Sequence, residues 1–210
     1  YDVHGKCSRE EYVDMDGRLV EERGGRRSGW EKTFDANGNE VVLRMYGKDR
    51  NSVNGKDGWA KRTNEYDQCG NCIRTSLYDE NDRPVIADPE NGVYSTVRGY
   101  DDNGRVVSLR FMGKDGNPCV NKDGIAGWNE VYSKDGQTNR MEYVDHKGNP
   151  CPDVNGVFGR LIQYDCYNRQ ERVEQFGAKG ELVVGGQGVA AGVHMLYDHV
   201  GNEVMREYYG

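Results

Sequence analysis

A tyrosine–aspartate pair returns along this chain at a nearly constant step. It stands at Tyr1-Asp2, Tyr66-Asp67, Tyr100-Asp101, Tyr164-Asp165 and Tyr197-Asp198, with Phe34-Asp35 and Tyr132-Ser133 as variants. The steps between the ring residues are 33, 32, 34, 32, 32 and 33 residues. A fixed period of this size means a repeat architecture, in which each unit buries its apolar side only against its neighbours. The 210 residues therefore read as one repeat array: units 1–33, 34–65, 66–99, 100–131, 132–163 and 164–196, then a half unit 197–210. Positions are counted below from the ring residue of each pair as zero.

Alternation within a unit identifies strands. Positions +7, +9 and +11 read Val41, Leu43, Met45, then Val107, Leu109, Phe111, with Ile73, Thr75, Leu77 and Asn139, Met141, Tyr143 elsewhere. Between them, +8 and +10 read Arg74 and Ser76, Ser108 and Arg110, Arg140 and Glu142, Arg172 and Glu174. One apolar and one charged face at period two marks a half-buried strand. A second strand enters before the ring residue, opening on Gly and an apolar pair such as Gly58-Trp59-Ala60, Gly124-Ile125-Ala126 or Gly156-Val157-Phe158. The two are joined by Asp-x-Asn-Gly or a variant, as at 35–38 and 101–104. The Asp accepts hydrogen bonds from the turn backbone and the Gly supplies a left-handed residue, which predicts a hairpin with a bulge.

A second tight turn follows at 14–17, 113–116 and 145–148. After it, position +19 is Val20, Val53, Val85, Cys119, Cys151 or Val183, a small residue expected to be buried. Pro84, Pro118 and Pro150 precede it, where a missing donor suits a connector. No helix is expected. The fold class predicted is all-β: an elongated array of consecutive antiparallel hairpins, open-ended or β-solenoid-like.

Composition agrees and narrows function. Hydrophobic residues are 35% of the chain and mean hydropathy is -0.92, too little for a thick core. With 29 Gly and 14 Tyr, a thin sheet layered with aromatic rings fits better than disorder. The net charge of -7, with no basic stripe, speaks against nucleic acid as a partner. No apolar run is long enough to span a membrane as a helix. The chain opens at Tyr1, inside a repeat and without Met, so it is expected to be part of a larger protein.

Candidate chemistry reduces to turn chemistry. Cys69-Gly-Asn-Cys72 has redox or zinc spacing, but it falls on a hairpin turn aligned with 35–40 and supplies two ligands where a structural zinc needs four. The Asp14-x-Asp16-Gly17 turn lacks the remaining ligands of a calcium loop. The scattered cysteines favour a reducing, cytoplasmic compartment over an oxidising one, with the cell surface as the alternative. His4, His146, His194 and His199 have no recurrent nucleophile or acid beside them in sequence. No catalytic residue, metal or cofactor is expected. The ring residues Tyr1, Phe34, Tyr66, Tyr100, Tyr132, Tyr164 and Tyr197 read as a structural ladder. Binding is expected at position -4, where Trp30 and Trp128 alternate with Arg62, Thr96, Arg160 and Val193. A slot that accepts Arg is expected to be exposed, and Trp beside Arg suits a macromolecular contact.

The signatures Tyr-Asp-x-x-Gly-Asn and Asp-Gly-x-Ala before the next pair resemble the tandem β-hairpin repeats of bacterial YD/RHS-type proteins, and are similar to MORN and WG repeat arrays. The resemblance covers the whole chain, with a unit longer than in the first two families. It implies an all-β array used as scaffold, binding surface or casing. RHS-type arrays wrap into shells, and MORN arrays form open sheets that bind proteins or lipids.

Together these readings predict a non-enzymatic scaffold that presents an extended surface to a protein partner. A carbohydrate or cell-wall binding module and a structural casing are the alternatives. Unpaired sheet edges predict self-association of the isolated chain.

Overall fold

Strands form wherever the alternation runs unbroken, and they end where Asp or Gly takes over. The computed structural model describes residues 5–86, 92–136, 138–186 and 189–210, with residue 138 by its backbone alone. The first ladder position, Tyr1, lies outside the described residues. The strands are β1 (Arg9–Glu11), β2 (Gly29–Phe34), β3 (Glu40–Tyr46), β4 (Lys61–Tyr66), β5 (Cys72–Tyr78), β6 (Ser95–Tyr100), β7 (Val106–Met112), β8 (Gly127–Tyr132), β9 (Thr138–Val144), β10 (Gly159–Tyr164), β11 (Gln170–Phe176), β12 (Gly192–Tyr197) and β13 (Glu203–Tyr209). Strand order follows chain order from β1 to β13, so the sheet is a meander that does not close on itself. The fold is all-β, a run of consecutive antiparallel hairpins, with no α-helix among the described residues. Among the described residues no helix is long and apolar enough to cross a membrane.

The chain divides into two compact bodies. The first comprises Tyr1–Arg98 and Phe111–Asn117, and the second Gly99–Arg110 and Pro118–Gly210. Both are built from the same local device, best seen at 35–39. The Asp35 N–H donates to the Asn39 carbonyl at 2.9 Å, and the Gly38 N–H to the Asp35 carbonyl at 3.0 Å. Asp35 Oδ1 accepts from the N–H groups of Asn37 and Asn39 at 2.9 and 2.8 Å. Gly38 stands at φ 80°, where a side chain would be strained. The register shifts between Thr33 and Phe34, which is the expected bulge. Asp67, Asp101, Asp165 and Asp198 repeat the pattern, and Asp14-x-Asp16-Gly17 is likewise turn chemistry.

Among the described residues, units 34–65, 100–131 and 132–163 carry one more such turn than expected, just before the incoming strand. Gly55–Trp59, Asn121–Ile125 and Asp153–Val157 close with the same pair of backbone bonds. Gly58, Gly124 and Gly156, expected to open the incoming strand, instead close this third turn at φ 78°, 80° and 82°. The strands begin three residues later, at Lys61, Gly127 and Gly159. The residues between are the core: Ala60, Ala126 and Val157 are almost wholly buried. Position +19 is a smaller departure. Val20, Val53, Val85, Cys119, Cys151 and Val183 are half-buried, not buried, and several reach back to pair with the carbonyl at +11.

The ring residues at position zero act as stitches. The hydroxyls of Tyr66, Tyr132 and Tyr197 donate to the carbonyls of Glu40, Val106 and Gln170 at 2.9, 3.1 and 2.9 Å. Each acceptor is the residue at +6 of the preceding unit, so the ladder ties one hairpin to the one before. Arg105 and Arg169, at +5, lie 4.4 Å above the rings of Tyr132 and Tyr197, and Lys6 lies 5.3 Å above Phe34.

A second ladder runs on the opposite face, at +12. Tyr46, Val144 and Phe176 are buried there, opposite Gly29, Gly127 and Gly159. A Cβ on Gly29 would lie 2.7 Å from Tyr46 Oη, and one on Gly159 2.6 Å from Phe176 Cζ. The ring thus needs the glycine beneath it. Its far end reaches the charged residues of the preceding unit. Tyr46 Oη donates to Glu11 at 3.0 Å, Tyr209 Oη donates to Glu174 at 2.8 Å, and Arg140 sits 3.6 Å above the Phe176 ring. The face that reads as charged in sequence is therefore a paired surface with aromatic rings at its end.

Candidate functional site

Position -4 lies on the ladder face, because directly opposite residues of an antiparallel pair point the same way. Trp30 stands opposite Met45, Arg62 between Leu43 and Leu77, and Thr96 opposite Thr75. In the second body Trp128 stands between Leu109 and Tyr143, Arg160 between Met141 and Gln175, and Val193 between Val173 and Tyr208. The slot is thus continuous with the apolar rows at +9 and +11. Trp30, Arg62 and Trp128 are half-buried, and Arg160 is exposed.

In the first body the row is wired together. Lys32 Nζ lies 4.9 Å above the Trp30 ring and 2.9 Å from Glu40 Oε2. Glu40 Oε1 lies 2.6 Å from Arg62 Nη2. Burial raises the Glu40 carboxyl, but the hydrogen bonds from Lys32 and Arg62 outweigh it and hold the group below its ordinary value. The result is a chain from indole to ammonium to carboxylate to guanidinium, each member of it half-buried. Arg62 tolerates partial burial because its stem lies along Leu43 and Leu77 while its head is paired.

The second body lacks that wiring. Glu130 stands where Lys32 does, and burial raises its carboxyl; it accepts from the Asn139 side-chain amide. Arg160 forms no ion pair among the described residues. It borders a cavity of about 170 Å³ with Asp123, Ile125, Tyr143, Asp153 and Asn155. Burial pushes the Tyr143 hydroxyl up, and Arg160 partly offsets it. On its other flank Arg160 borders an apolar cavity of about 210 Å³.

The remaining candidates fall in turns or in half-buried strand positions. Cys69 is exposed at the β4–β5 turn, its N–H bonded to Asp67, while Cys72 begins β5 with Sγ 3.5 Å from Thr75 Oγ1. His194 Nδ1 lies 3.8 Å from Glu207, and His146 and His199 are exposed in turns. His4 lies outside the described residues. Among the described residues no three His, Cys, Asp or Glu converge as metal ligands.

No protein-family model matches the chain, and no curated protein matches it. Among solved structures, the chain is similar to one in the crystal structure of TcdB2-TccC3-TEV, at 14% identity and a TM-score of 0.33, over 95% of this chain and 11% of that one. It is also similar to one in the structure of a Photorhabdus luminescens Tc holotoxin pore with a mutation in TccC3, at 7% identity and a TM-score of 0.28, over 87% of this chain and 10% of that one. The chain spans about a tenth of the length of these solved chains. Likeness of this degree says nothing about what the chain does.

Proposed function

We propose that the chain is a non-enzymatic repeat scaffold that presents the -4 row of its ladder face to a protein partner. The resemblance to YD/RHS-type arrays belongs to this reading. The observation that carries it is a division of labour between positions. The stitches at zero, +6 and +12 recur from unit to unit, while the -4 row changes through Trp30, Arg62 and Thr96 in the first body and Trp128, Arg160 and Val193 in the second. Half-exposed Trp flanked by Arg and Lys is the composition of interface hot spots.

Affinity capture with the wild-type chain and a Trp128→Leu/Arg160→Ala variant in parallel tests it. A protein bound by the wild type and lost from the variant, with circular dichroism and melting unchanged, is the expected result. Equal capture by both sinks the assignment. Glu65→Ala, on the opposite face, should capture as the wild type does.

A further inference from the structure

The apolar cavity beside Arg160 lies where the hairpin two units earlier carries an indole. It is lined by Arg160, Val173, Gln175, the 189–192 segment, Val193 and Tyr208. Two hairpins earlier, the equivalent repeat positions carry larger side chains. Leu109 stands where Val173 does, Ile125 where Ala190 does, and Trp128 where Val193 does. There Leu109, Ile125 and Tyr143 are buried. Side-chain volume has been withdrawn from one slot at three positions, and what the slot lacks is the indole its sister contains.

The walls are held open rather than collapsed. Gln175 Nε2 donates to the Ala190 carbonyl at 2.9 Å, which pins the 189–192 segment. The volume of about 210 Å³ exceeds the roughly 150 Å³ apolar cavity that takes a benzene ring. Arg160 lines the rim, a cation able to lie over a ring as Lys32 lies over Trp30.

We propose that this cavity is a docking site for a tryptophan side chain of the protein partner. The ring replaces the missing indole against Val173, Ala190 and Val193, and the Arg160 guanidinium covers its outer face. The proposal rests on the protein-binding reading for the owner of the ring, but the probe below requires no partner. Failure of one is thus separable from failure of the other.

Methyl-resolved NMR titration of the intact chain with N-acetyl-tryptophanamide tests it. Saturable shifts confined to the methyls of Val173, Ala190 and Val193 are expected. Val193→Trp should abolish them, and Arg160→Ala should weaken binding by about two- to five-fold. If Val193→Trp fails to fold, Ala190→Ile, which restores the residue of the sister hairpin, should also weaken binding. Absence of saturable shifts, or shifts unchanged in the filled variant, overturns the proposal. Free indole binding tightly where the peptide-like probe does not would also overturn it, in favour of a small-molecule site.

Discussion

Asp101 accepts hydrogen bonds from the N–H groups of Asn103 and Arg105 through one oxygen and from the Arg105 guanidinium through the other. The backbone bond from Arg105 holds its carboxyl below the ordinary value, and Asp35 is lowered in the same way, first by the N–H of Asn39. A carboxyl depressed in the folded state stabilises the fold above its unfolded value, near pH 3.9, and that contribution is lost as pH falls through the folded value. Thermal melts should therefore be flat between about pH 7 and pH 5 and fall below about pH 4. Asp101→Asn keeps an acceptor but no charge; it should melt lower at neutral pH and lose less than the wild type on acidification. Asn168 offers the opposite change. It holds the left-handed place of its turn at φ 62°, where Gly38, Gly70 and Gly104 stand in sister turns. Asn168→Gly should raise stability by up to about 1 kcal/mol, read from the denaturant midpoint. At this scale the turns were legible, because Asp and Gly at fixed spacing state their own hydrogen bonds. Arg62 was not. Its presence in the -4 slot reads as exposure, whereas its stem packs and its charge is spent on Glu40.

Elements are joined by two kinds of stitch, and each can be cut separately. Tyr66→Phe or Tyr132→Phe removes one hydroxyl–carbonyl bond and should cost about 1 kcal/mol each in chemical denaturation. Gly159→Ala would press a methyl on the Met141 carbonyl and the Phe176 ring, and should cost about 1–3 kcal/mol. A neutral result would mean that the ring does not need the glycine. The zero ladder is visible in sequence because Tyr or Phe fills it every time. The +12 ladder is not, because Tyr46, Tyr78, Met112, Val144, Phe176 and Tyr209 share bulk rather than identity. Period two also assigns it to the charged face, and only the cross-strand register shows the glycine beneath Tyr46, Phe176 and Tyr209. The third turn escaped for a related reason: a Gly before an apolar pair opens a strand as plausibly as it ends a turn.

At the scale of the molecule, strands pair only with their sequence neighbours. Stability in such an array is close to a sum over units and their nearest-neighbour interfaces. Amide exchange should show this directly: Gly159→Ala ought to accelerate exchange in β10 and β11 while leaving β2 and β3 as in the wild type. Uniform acceleration would mean that the two bodies unfold as one.

The stitches also make length a countable quantity. Each unit offers a carbonyl at +6 and side chains at +8 and +10, and it asks the same of the unit before. Removing residues 132–163 as a block would leave Tyr164 facing the Val106 carbonyl and Phe176 facing Ser108. The shortened chain should fold with the same circular dichroism per residue, whereas removal of half that block should not. Such a chain can be lengthened or shortened over generations by whole words, with no new grammar required at the join.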